Sequence, residues 1–71
     1  MDYIYRLYAW LYSGGVEHIG NTNDFERAKA MGRNLNKKEY INYLIIRHDI
    51  KLNSDFPIYR ENLYKGRVLK K

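Results

Sequence analysis

The first ten residues after Asp2 read YIYRLYAWLY, and both alternating sets of this run, Tyr3 to Tyr12, are apolar or aromatic. Arg6 is its single charge, and the aromatic and aliphatic residue types favour a strand. The run ends at SGGV, where Gly14 and Gly15 supply the positive φ of a two-residue hairpin tip. Such a tip places Ser13 opposite Val16, Tyr12 opposite Glu17, Leu11 opposite His18 and Trp10 opposite Ile19. The returning strand stops near Gly20, where GNTND gathers turn formers.

The period then changes. Phe25, Ala28, Gly32 and Leu35 fall in one arc of a helical wheel, with Met31 at its edge and Glu26, Arg27, Ala30 and Arg33 opposite. Asn23 with Glu26 matches a reciprocal N-cap, Thr22 being the alternative, and Asn36 is placed to end the helix as a left-handed C-cap. Gly32 lowers intrinsic helix stability by about 1 kcal/mol relative to Ala. Its place on the apolar arc predicts a compensating close approach to a sheet.

EYINYLIIRHDI, Glu39 to Ile50, returns to strand character with apolar residues on both faces until Arg47, the pattern of a central strand. Beyond NSDFP, the segment IYRENLYKGRVLKK is ambiguous, and extended structure is favoured. The pattern predicts an α+β two-layer sandwich, β-β-α-β(-β), with one helix on a mostly antiparallel sheet.

One helix covers one face. In the first strand Tyr3, Tyr5, Leu7, Ala9 and Leu11 suit the covered side. Ile4, Arg6, Tyr8, Trp10 and Tyr12 suit the open one, because Tyr and Trp carry polar atoms that want partners and Arg6 cannot be buried alone. The expected pairing adds Ile19 to this patch. Three occupants are open. The C-terminal residues Phe56, Ile58, Leu63 and Val68 fold back over it; a second copy or another protein buries it, Tyr, Trp and Arg being the types that carry interface energy; or it is a stacking platform for single-stranded nucleic acid.

The chain has 71 residues, one domain at most, and no cysteine, so neither disulfides nor a thiolate zinc cluster supplement a small core. An aliphatic and aromatic share of 45% with one proline argues against disorder. The net charge of +5 arises entirely after Asn36, and residues 60–71 carry Arg60, Lys65, Arg67, Lys70 and Lys71 against Glu61 alone. This segment reads as a basic, partly flexible tail. With Lys37, Lys38, Arg47 and Lys51 it forms the cation set of the nucleic-acid alternative. The apolar runs are too short for a membrane span and the start lacks the pattern of a secretory signal, so a cytoplasmic location is expected, with no membrane partner.

Catalytic and metal chemistry find little support. Glu17 and Asp49 adjoin His18 and His48, but neighbouring strand residues point to opposite faces. There is no compact metal-ligand spacing, nucleophile elbow or phosphate-binding loop, and Ser13, Ser54 and Thr22 are explained by turns or a cap. No enzyme activity, cofactor or small-molecule substrate is expected. The leading expectation is a small protein-binding protein, homodimeric or acting as an inhibitor or modulator of a larger host protein. Its predicted interface is Arg6, Tyr8, Trp10 and Tyr12, with Ile19 secondary. Ile, Asn, Lys and Tyr, whose codons are AT-rich, supply 29 of 71 residues, so an accessory protein of a phage or mobile element is the expected class.

Overall fold

A computed structural model of the chain describes residues 2–63. Strand β1 (Tyr3–Leu11) turns into β2 (Val16–Thr22); helix α1 (Phe25–Arg33) follows, then β3 (Tyr40–Asp49) and β4 (Ser54–Asn62). All neighbouring strands are antiparallel, in the order β2-β1-β3-β4. The predicted α+β architecture, one helix on an antiparallel sheet, is therefore the observed one. The ambiguous segment after Pro57 is extended as far as Asn62.

The core lies between α1 and one face of the sheet. Leu7 and Ala9 of β1, Tyr43 and Ile45 of β3, Ala28, Tyr40 and Leu63 are buried, with Tyr5, Leu11, Ile19, Phe25, Met31, Leu35 and Tyr59 packed around them. Gly32 is buried against this layer, and a Cβ there would overlap the Tyr43 ring. The predicted close approach thus explains a glycine within the helix.

The helix ends differ from expectation. Asp24, not Asn23, is the N-cap, its carboxylate accepting from the Glu26 N–H at 3.1 Å, while Thr22 Oγ1 accepts from the Asp24 N–H. Asn34 rather than Asn36 closes the helix, its N–H donating to Ala30 O. Among the described non-glycine residues only Asn53 has positive φ, so Asn36 is not a left-handed cap. Its side chain instead accepts from Lys38 N–H, fixing the turn that leads into β3.

The hairpin also departs from the expected register. Gly14 and Gly15 do have positive φ, 107° and 90°, but Leu11 N–H donates to Gly15 O and Gly14 N–H to Leu11 O. These bonds close a four-residue connection from Tyr12 to Gly15, and Trp10 consequently faces Val16 rather than Ile19. A bulge follows: Tyr8 pairs with His18, whereas Leu7 pairs with Gly20, so Ile19 is the extra residue.

On the helix side one carboxylate joins three elements. Glu61 Oε1 of β4 accepts from the Tyr43 hydroxyl at 2.5 Å, from Arg33 Nε at 3.2 Å and from the Tyr59 hydroxyl at 3.3 Å. These bonds tie the end of α1 to the β3–β4 edge. The Tyr43 hydrogen bond, with Arg33 beside it and burial opposing, holds the Glu61 carboxyl below the usual range. Burial, then the same bond, raises the Tyr43 phenol.

Candidate functional site

Opposed residues of antiparallel strands project to the same face, so the register lays out the side of the sheet away from α1. One row runs His18, Tyr8, Leu44, Arg60. The row nearer the β1–β2 turn is Val16, Trp10, Asn42, Asn62, and the row on the other side is Asn21, Arg6, Ile46, Pro57. Further along lie Ile4, His48 and Asp55. No helix or strand lies over this face among the described residues.

Its side chains nevertheless pack on one another. The Arg60 guanidinium carbon lies 5.5 Å from the Trp10 ring centroid, so its side chain reaches from β4 across β3 towards β1. The Tyr8 and His18 rings stack at 4.9 Å with 32° between their planes, and His18 Nε2 is 2.7 Å from Asn21 Oδ1. At the far corner His48 Nδ1 is 2.6 Å from Asp55 Oδ1. Leu44 and Ile46 are half-buried in the centre. Asn42, opposite Trp10 and Asn62, has its Oδ1 enclosed without a hydrogen-bond partner among the described residues.

Of the predicted interface residues, Arg6, Tyr8 and Trp10 share this face. Tyr12 lies in the turn beyond β1, 52% exposed, where it borders a shallow hollow with Glu17 and Tyr40. Ile19 packs against the core instead, because the bulge sets it apart from the strand pairing. Leu63 is likewise a core residue, and Phe56 and Ile58 are exposed at 39% and 38%, so these three do not cover the open face. Val68 lies outside the described residues.

The cations of the nucleic-acid alternative are scattered. Arg60, read as the start of a tail, belongs to β4 and joins the open face. Lys37 Nζ donates to Arg33 O beyond α1, and Lys38 follows in the same turn. Lys51 lies 4.0 Å from Asp2 at the other end of the molecule. Arg47 is on the helix side, its guanidinium 4.7 Å from the Tyr3 ring and 5.6 Å from that of Phe56. Lys65, Arg67, Lys70 and Lys71 lie outside the described residues.

Sequence reasoning missed His18, Val16 and Asn42, because the hairpin register and β3 pairing that bring them beside Trp10 and Tyr8 are not readable from alternation alone. Among the described residues no group of three or more potential ligands could hold a metal, and no helix is long and apolar enough to cross a membrane. No protein-family model matches the chain, and searches of curated proteins and of solved structures also give no match.

Proposed function

We propose that this chain is a non-enzymatic protein-binding module whose contact surface is the open face of the sheet. The observation carrying this reading is the continuous field of Trp10, Tyr8, Leu44 and Ile46 bordered by Arg6 and Arg60, on the side opposite the only described helix. Aromatic and arginine anchors around an aliphatic centre are the composition of protein interfaces. Trp10 and Tyr8 are already engaged within the face, Trp10 by the Arg60 guanidinium and Tyr8 by the His18 ring, which holds them as ordered anchors for a protein contact. The dispersed positions of Lys37, Lys38, Arg47 and Lys51 favour protein over nucleic acid as the partner, since they form no continuous cationic track among the described residues.

Such a module acts as a homodimer or as an inhibitor or modulator of a larger protein. Trp10→Ala tests the surface, with circular dichroism to verify the fold. An anchor of this type contributes about 2 kcal/mol or more to association, so binding should weaken by more than tenfold. Unchanged mass in light scattering together with undiminished recovery of partners by pull-down would refute the assignment.

A further inference from the structure

We infer, resting on the protein-binding reading, that the occupant of the open face is an extended acidic segment of another protein, with two carboxylates flanking an apolar residue. The argument begins with the distribution of charge. Arg6 and Arg60 both belong to the open face, and neither has a carboxylate within ion-pair distance among the described residues.

Nearly all the chain's own acidic side chains are engaged elsewhere. Glu61 serves Tyr43, Tyr59 and Arg33; Glu17 accepts from the Tyr40 hydroxyl; Asp24 caps α1; Asp49 accepts from the Leu52 N–H. Glu26 and Asp2 lie beside Lys29 and Lys51, and Asp55 is held by His48 at the corner of the face. Glu39 borders the hollow beside Glu17 and Tyr40. None of the eight stands in the three central rows. A second copy laid on this face therefore brings two more arginines and no central carboxylate, an arrangement that like-charge repulsion opposes.

Register supplies the spacing. Arg6 and Arg60 are two strands apart and one same-face step apart along the strands. The Arg60 guanidinium, however, lies at the Trp10 ring, and Trp10 is four residues from Arg6 on the same face of β1, about 13 Å away at about 3.3 Å per residue. In an extended peptide, residues i and i+4 lie about 13 Å apart on the same side, with i+2 between them. The segment that fits has the form acidic-x-apolar-x-acidic along β1, its carboxylates on Arg6 and Arg60 and its central side chain on Tyr8 and the neighbouring Leu44.

The test is selection of displayed random dodecapeptides on the folded chain, followed by affinity measurements on synthetic winners and on copies with Asp→Asn and Glu→Gln. Winners should carry acidic residues two positions either side of Leu, Ile, Phe or Trp, and amide replacement should weaken binding about tenfold or more. Arg6→Gln and Arg60→Gln should erase the difference between acid and amide peptides, whereas Trp10→Ala should weaken both. Winners without acids that still depend on Trp10 would overturn the acidic-segment inference and leave the protein-binding surface standing. Tighter binding of an oligothymidylate than of any peptide would overturn both readings. Failure to enrich any sequence, or a doubled mass in light scattering that survives Arg6→Gln with Arg60→Gln, would overturn the acidic segment alone.

Discussion

Gly32 sets two effects of a single methyl group against each other. Replacing it by Ala improves helix propensity by about 1 kcal/mol, but the new Cβ overlaps the Tyr43 ring inside the core. Overpacking of this kind costs about 1–3 kcal/mol, so Gly32→Ala should lower the urea midpoint. A rise in the midpoint would show that the ring moves freely. This close approach was legible, because a glycine on the apolar arc of an otherwise regular helix gives up propensity that close packing can restore. Glu61 was not legible: its partners come from α1, β3 and β4, and only tertiary structure brings them together. Since its folded carboxyl titrates below the ordinary value, its contribution is complete above the unfolded pKa of about 4.3 and disappears as pH falls through the folded one. Glu61→Gln should cost about 1–2 kcal/mol at neutral pH and much less below the folded pKa. Denaturant titrations of both proteins at several pH values measure this, and a difference independent of pH would contradict it.

Among the elements, the β1–β2 hairpin shows where alternation stops being informative. Residue types identified both strands and the glycine turn, yet the register depends on which amide closes the loop, and the Leu11–Gly15 hydrogen bonds shift it. The bulge at Ile19 then breaks the period of two. Extending the alternation from the tip sends Ile19 to the wrong face. The consequence is measurable: Ile19→Ala should cost about 1–2 kcal/mol of stability, less than a fully buried isoleucine, and leave peptide affinity unchanged. Val16, half exposed opposite Trp10, should behave in the reverse way on substitution by Ser. An Ile19→Ala variant of full stability but impaired binding would restore the register expected from the tip. By contrast, the helix and β3 were readable within a few residues, because their apolar periods run uninterrupted through the core.

In the whole molecule, the one described helix on the described four-stranded sheet confines the core to one side and leaves the proposed contact surface on the other. The fully buried side chains Leu7, Ala9, Tyr43 and Ile45 all lie on the helix side, whereas the other face contains half-buried residues only partly shielded by their neighbours. The two-faced apolar pattern of β1 and β3 was visible in the sequence, and so was the fact that one helix covers only one of the two faces. Arg6 was legible there as well, but Arg60 was not, because it enters the open face only once β4 is paired to β3. Hydrogen exchange can examine this division directly. In the free protein the slowest amides should lie in β1 and β3, which have neighbours on both sides, and the faster ones in β2 and β4, the outer strands of the described sheet. Saturation with a selected acidic peptide should slow exchange in β1, β3 and β4, where Arg6, Leu44, Ile46 and Arg60 lie, and leave Phe25–Arg33 nearly unaltered. If the helix amides gain the greatest protection instead, recognition occurs on the covered side, and the open face is not the binding surface.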